Sequence, residues 1–372
     1  MKPQISNRLV IAAMFVALVP LSLAEAQKPS GVPVADARSV IALSQAVAPG
    51  GISELKEVDI GGIKQWISIR GNDRANPILL FIHGGPGAPM MPESWTFQRP
   101  WEDFFTVVQW DQRGAGKTFS AANRQPDASI SISQMQADAE QLIEWLKATY
   151  GKKKIFVMGH SWGSVLGLKV AQHHPEWLYA YIGVGQVVNS RRNEAVGYQQ
   201  TLAQAEEIGN EQAIRELKAI APYPEADLAK FIPKVYVERK WNAALGGMSY
   251  GQTEDIGGQL RALSPVYTDY DVESARLGEL SSPQQLAPEL IEVDFDNSTD
   301  FKCPVVFFAG MHDRTTPESI VEEYYSRIHA PNKQLFKIKR ASHYVVNEAP
   351  GEVLMDLVLH VLPLSNESGA QK

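Results

Sequence analysis

The sequence predicts an α/β protein: a mostly parallel sheet wrapped by helices and interrupted by a helical insertion. Three observations carry that expectation. After residue 50, short runs of branched and aromatic residues alternate with helical patterns, as parallel strands joined by helices require. Most of the runs end in Gly, Asp or His, residues that stop a strand and open a loop at its end. From about residue 186 to 299 the alternation breaks, and Ala, Gln and Glu take over with helical periodicity.

In chain order, Lys2 and Arg8 precede an apolar run from Leu9 to Leu23 and then Ala24-Glu25-Ala26. A positive end, a short apolar stretch and a small-x-small site predict a secretory signal peptide, cleaved after Ala26, and export to the periplasm or beyond. An uncleaved anchor is the alternative. No later run is long enough to span a bilayer, so no stable membrane insertion is expected after cleavage. Leu55–Ile60 and Ile63–Ile69 flank Gly61-Gly62, the spacing of a tight β-hairpin. Strands are expected over Ile78–Ile82, Phe105–Trp110, Ile155–Met158, Tyr181–Val184, Val305–Ala309 and Leu335–Ile338. Ser133, with Gln136 three residues on, suits the cap of a helix that Gly151 ends.

In the insertion, helices are expected over Gln199–Ile208, Glu211–Ile220 and Ala226–Trp241, with loops and short helices over 242–300. Further helices should run from Pro317 to about Ile328 and from Pro350 to Leu362. The organisation expected is a leader over 1–26, a core from 27–185 and 300–372, and a helical cap over 186–299.

Composition narrows the function. Of 372 residues, 44% are hydrophobic and 21% charged, enough to build a core without covalent staples. The formal charge of −7 argues against a general nucleic-acid binder. Cys303 is the single cysteine, which excludes an internal disulfide and a Cys-rich zinc site. No motif implies a metal or an organic cofactor, and the partner expected is a small-molecule or short-peptide substrate.

Gly159-His160-Ser161-Trp162-Gly163 follows a predicted strand and precedes Val165, Leu166, Leu168 and Val170 on a predicted helix. That strand-turn-helix setting is what a nucleophilic serine at a G-x-S-x-G elbow requires. Gly247-Met248-Ser249-Tyr250-Gly251 has the same spacing without the setting and reads as a Gly-rich loop. A serine hydroxyl needs a base, and the base a carboxylate to fix its tautomer. Asp313 follows the strand ending at Ala309 and His343 follows the strand ending at Ile338, each on a loop ahead of a helix. His160 is locked in the elbow, and His312 precedes the acid. His83-Gly84-Gly85-Pro86-Gly87, after the strand ending at Ile82, can bring a backbone N–H to the developing oxyanion, with the N–H of Trp162 as the second donor. Asp111-Gln112-Arg113-Gly114-Ala115-Gly116-Lys117-Thr118 fails the phosphate-loop pattern, which needs glycine at 111, and reads as a turn that ties loops together.

Through HGGPG at 83–87, DQRGAGK at 111–117, GHSWG at 159–163, Asp313 and His343, the chain resembles the proline iminopeptidase family of α/β-hydrolases over about residues 50 to 362. The resemblance implies an α/β-hydrolase fold with Ser161, Asp313 and His343 as the triad and Gly85 and Trp162 as oxyanion donors. It further implies a cap over the site and release of an N-terminal residue from short peptides. The elbow carries His160 where the family usually has glycine, and Lys117 stands where serine is common. Cap carboxylates hold the free amine in that family, and Glu206, Glu207, Glu238 and Asp255 are the candidates here. An esterase or lactonase on the same scaffold, and a non-catalytic binding protein that kept the fold, are the competing readings.

Overall fold

The chain enters its sheet through the expected hairpin. In the computed structural model, which describes residues 36–252 and 256–367, α1 (Ala37–Ser44) leads to β1 (Ile52–Ile60) and β2 (Ile63–Gly71), paired antiparallel across Gly61-Gly62. Both turn glycines have positive φ, 56° and 79°, which suits the tight turn matched to strand twist. The expected leader over 1–26 lies outside the described residues. Among the described residues no helix is long and apolar enough to cross a membrane.

Six more strands complete the sheet: β3 (Ile78–Ile82), β4 (Thr106–Asp111), β5 (Ile155–His160), β6 (Leu178–Val184), β7 (Val305–Gly310) and β8 (Lys333–Ile338). They order as β1-β2-β4-β3-β5-β6-β7-β8, parallel from β4 through β8, with β2 antiparallel to both neighbours. Alternate residues of β3 feed two cores on opposite faces. Ile78, Leu80 and Ile82 pack with Leu142 and Leu146 of α3 (Ile132–Tyr150) and Val165 and Leu166 of α4 (Trp162–His173). Leu79 and Phe81 pack with Trp101, Val353 and Leu357. Ser131, rather than Ser133, caps α3 by accepting a 3.1 Å bond from the Gln134 N–H, and Gly151 ends it in the left-handed region. Between β4 and α3 lies the short α2 (Gly116–Ala121).

Between β6 and β7 come α5 (Ser190–Glu207), α6 (Glu211–Ala219), α7 (Leu228–Ala244), α8 (Gly257–Ala262) and α9 (Asp269–Leu290). The last corrects the expectation of loops and short helices over 242–300: α9 has 22 residues, more than any other described helix. Pro283 and Pro288 inside it and its lack of a clean apolar stripe hid it, yet Thr268 and Asp271 form a full capping box at its start. After β7 come α10 (Glu318–Arg327), α11 (Val345–Glu348) and α12 (Pro350–Asp356). α12 passes into a wider π turn over Leu357–Val361, completing the expected final helix.

The 111–118 turn ties the sheet to α9. Lys117 reaches the Asp271 carboxylate at 2.8 Å, and the Tyr267 hydroxyl donates to buried Asp111. Arg113 binds Asp138 at 2.9 Å and the Gly61 carbonyl at 2.8 Å, so one guanidinium anchors the hairpin turn to α3. Burial pushes the Asp111 carboxyl up to about 7, against the opposing pull of the Tyr267 hydroxyl and the Lys117 N–H.

Candidate active site

Ser161 sits between β5 and α4 with φ 52° and ψ −120°, a strained conformation for a residue with a side chain. The flanking glycines make the turn possible. A Cβ on Gly159 would stand 2.3 Å from the Gly163 carbonyl oxygen, and one on Gly163 would stand 2.0 Å from that of Ile82. The elbow therefore packs directly against the end of β3, where the HGGPG loop begins. A Cβ on Gly84 would lie 3.0 Å from Ser161 Cβ, which places that loop beside the nucleophile position.

The loops after β7 and β8 bring Asp313 and His343 to Ser161. His343 Nε2 lies 2.9 Å from Ser161 Oγ, and its Nδ1 lies 2.8 Å from Asp313 Oδ2. Asp313 is buried, and all its bonds are local or to His343. Its Oδ1 accepts the N–H groups of Thr315 and Thr316 at 2.7 and 2.9 Å, and its Oδ2 also accepts the Thr316 hydroxyl at 2.7 Å. Burial alone would raise its pKa, but the neighbouring imidazole and these donors outweigh burial and hold the carboxyl below its usual range. An ionised Asp313 accepts from Nδ1–H, which leaves the Nε2 lone pair facing the serine hydroxyl.

Two further histidines are held neutral around this line. Burial brings His83 down to about 4; its Nδ1 bonds the Gly84 carbonyl at 2.8 Å and its Nε2 accepts the Gln112 N–H at 3.3 Å. Burial and then the nearby His343 bring His160 down to about 3, and its Nε2–H donates to the His343 carbonyl at 2.9 Å. Trp162 opens α4, so its N–H is one of the four that a helix leaves without an internal acceptor. The Trp162 indole is fixed by Gln112 at 3.0 Å, and Gln112 in turn donates to the His83 carbonyl at 2.9 Å. The HGGPG loop and the elbow thus share one buried hydrogen-bond chain.

Ser161, Trp162 and Gly85 open onto a cavity of about 330 Å³. One wall is the stripe Leu228, Phe231, Ile232, Val235, Tyr236 and Arg239 of α7, spaced to share a helix face; α9 adds Glu279, Ala287 and Leu290, and α5 adds Asn193 and Glu194. The cap carboxylates expected from sequence fall elsewhere. Glu206 is exposed and paired with Lys218 at 2.8 Å, and Glu207 is exposed. Glu238 is buried but does not line the cavity; it accepts the Thr201 hydroxyl at 3.0 Å and pairs with Arg239. Asp255 lies outside the described residues. The carboxylates on the cavity wall are Glu194 and Glu279, neither of which the sequence singled out. Their helices carry so many Glu and Gln residues that no spacing marks the inward ones.

Both wall carboxylates compete for a shared guanidinium. Arg239 pairs with Glu194 and Glu238, and the Tyr223 hydroxyl also donates to Glu194. Arg261 pairs with Glu279 at 2.5 Å and Glu93 at 2.6 Å. Burial holds the Glu238 carboxyl above its usual range, against the pull of the Arg239 guanidinium. Asn193 adds a buried side-chain oxygen with no hydrogen-bond partner. Among the described residues no three His, Cys, Asp or Glu side chains are grouped to hold a metal ion.

Residues 77–350 match the family described as alpha/beta hydrolase fold. The chain is 34% identical over 306 residues to "Probable aminopeptidase YbaC" of Bacillus subtilis, an alignment covering 80% of this chain and 93% of that protein. It is 41% identical over 106 residues to the proline iminopeptidase of Neisseria gonorrhoeae, covering 28% of this chain and 31% of that one. Among solved structures, the proline iminopeptidase-related protein of Thermus thermophilus superposes with a TM-score of 0.60 at 18% identity, over 84% of this chain and 99% of that one.

Proposed function

This chain belongs to the α/β-hydrolase family, among its proline iminopeptidase-like serine hydrolases, and we propose that it removes the N-terminal residue from short peptides or aminoacyl amides through a Ser161–His343–Asp313 triad. The observation that carries the substrate reading is the cavity wall beside Ser161, where Glu194 and Glu279 each share one guanidinium with another carboxylate. A free α-amine is cationic at neutral pH, and burying it unpaired costs several kcal/mol. Carboxylates on the cavity wall, Glu194 and Glu279, can offset that cost by pairing with the amine. Asn193, with its unspent acceptor, suits a second substrate N–H.

In the chemistry proposed, His343 Nε2 takes the Ser161 proton as Oγ attacks the scissile carbonyl. Asp313 holds the imidazolium, and the N–H groups of Gly85 and Trp162 receive the oxyanion. His343 then returns the proton to the leaving amine, and the acyl-enzyme forms. Water, deprotonated by the same imidazole, releases the residue and restores Ser161. The chain is further proposed to be exported with cleavage after Ala26; an intact mass that includes Met1 would instead favour the anchor.

The apolar stripe Leu228, Phe231, Ile232 and Val235 favours a second reading, an esterase or lactonase acting on neutral substrates. One panel separates the two: aminoacyl p-nitroanilides with free and acetylated amines, beside short-chain p-nitrophenyl esters. The aminopeptidase reading expects the free amine to be preferred over its acetylated partner by about 100-fold in kcat/KM, roughly the value of one buried charge pair. Equal rates on the two anilides, with esters faster than both, would overturn it.

A further inference from the structure

The second G-x-S-x-G segment, Gly247–Gly251, has no part in the proposed chemistry, yet it lies across both loops that carry the acid and the base. His343 N–H donates to the Met248 carbonyl at 3.1 Å, and the Ser342 hydroxyl donates to the Gly246 carbonyl at 2.7 Å. On the acid loop, the Arg314 N–H reaches the Gly247 carbonyl at 3.4 Å, the Arg314 guanidinium donates to the Leu245 carbonyl at 3.0 Å, and the Thr315 hydroxyl meets Met248 Sδ at 3.0 Å. The strap continues directly from α7, whose stripe walls the substrate cavity.

Glu348, at the end of α11, closes this arrangement. One carboxylate oxygen accepts the Ser342 N–H at 2.5 Å, and the other accepts the Tyr250 N–H at 2.9 Å. A single side chain thus bridges the base loop to the strap through two backbone donors. His160 in turn holds the His343 carbonyl. We propose that Glu348 is a positioning residue for the base, tying the His343 loop to the 246–250 strap so that Nε2 stays within reach of Ser161 Oγ. The proposal rests on the triad reading above and adds to it a residue that touches neither substrate nor the reacting atoms.

The chemistry of the bridge makes it testable. A carboxylate offers two acceptors, whereas a glutamine amide offers one acceptor and one donor. In Glu348→Gln, one of the two backbone N–H groups must face an N–H of the side chain, and the bridge opens on that side. A displacement of the base by a fraction of an ångström to about 1 Å then costs on the order of 10- to 100-fold in kcat. KM should stay within about threefold, because substrate contacts are untouched. The charge near His343 also changes. Asp313, His160, Tyr344 and Glu348 are titratable groups close to it; burial raises the Glu348 carboxyl, and the His343 imidazole, through its charge, pulls it back down. Loss of the Glu348 charge should move the acidic limb of kcat/KM to lower pH, a shift that a purely structural role would not produce.

The experiment compares Glu348→Gln, Ser342→Ala and the unaltered chain on whichever chromogenic substrate is turned over best. It also measures labelling by a serine-directed phosphonate, thermal midpoints, and turnover per labelled site. The expected result is a fall in kcat and in labelling rate together, at unchanged KM, with a displaced acidic limb in Glu348→Gln. Ser342→Ala, which removes only one strap bond, should show a smaller fall, about three- to tenfold. Full turnover per labelled site with an unmoved pH profile in Glu348→Gln would overturn the proposal. Persistent activity in Ser161→Ala would instead overturn the triad reading, and a preference for esters would change the substrate without touching this result.

Discussion

Replacing Asp313 by asparagine isolates the link between hydrogen-bond geometry and catalysis. The carboxylate accepts four bonds, two backbone N–H groups at Oδ1 and the Thr316 hydroxyl with His343 Nδ1–H at Oδ2. An amide must put its NH₂ at one of those positions. At Oδ1 it would meet two fixed backbone donors in a buried site, at about 1–3 kcal/mol for each donor left unsatisfied. At Oδ2 it meets a hydroxyl that can rotate to accept and an imidazole that can change tautomer. The second arrangement therefore wins, and His343 carries its proton on Nε2, facing Ser161 with a donor where a base is needed. The expected loss is on the order of 10⁴-fold in kcat, or about 5.5 kcal/mol of transition-state stabilisation. The assay is kcat/KM on the preferred p-nitroanilide together with phosphonate labelling, with near-ultraviolet circular dichroism to confirm native packing. If Asp313→Asn keeps activity within about tenfold of the unaltered chain while folded, the tautomer argument is wrong and another group orients the base.

Ser161→Ala should abolish both turnover and phosphonate labelling, a loss of several orders of magnitude read by active-site titration. Glu194→Gln should raise KM for free-amine substrates by about tenfold or more and leave acetylated ones unchanged. Glu206→Gln, on the exposed side of α5, should alter neither; steady-state kinetics on the paired anilides decides both. Asp111 predicts a pH dependence of stability: burial raises its folded pKa to about 7, so the stability it contributes is complete below the ordinary carboxylate range and is lost as pH rises towards 7. The loss is at most about 4 kcal/mol. Urea midpoints at acidic and neutral pH should show this slope, and Asp111→Asn should flatten it, because an amide does not titrate and its NH₂ can take the Oδ1 side, where no bond is lost.

How much could be read from sequence depends on how locally each feature is encoded. The hairpin, the strand ends and the order of Ser161, Asp313 and His343 depend on turn glycines and short apolar runs, and the structure places all three side chains on one hydrogen-bonded line. α9 is not legible because two prolines and a weak apolar face conceal a helix held by its cap, by the bond from Lys117 to its Asp271 and by the bond from its Ser282 to the Gly114 carbonyl. The inward-facing carboxylates were missed for a different reason. Periodicity gives the faces of a helix but not which face meets a cavity built by three other segments. Glu194 and Glu206 both lie on α5, yet one meets Arg239 and Tyr223 and the other Lys218. Gly247–Gly251 sharpens the point. Its motif signals nothing by itself, whereas its backbone meets the loops of Asp313 and His343 where Glu348 can join them. The nucleophile is legible because its strain is local. The groups proposed to aim the base and to recognise the substrate pair distant parts of the chain, Glu348 with Tyr250 and Glu194 with Arg239, and those pairings exist only once the sheet has brought its loops together.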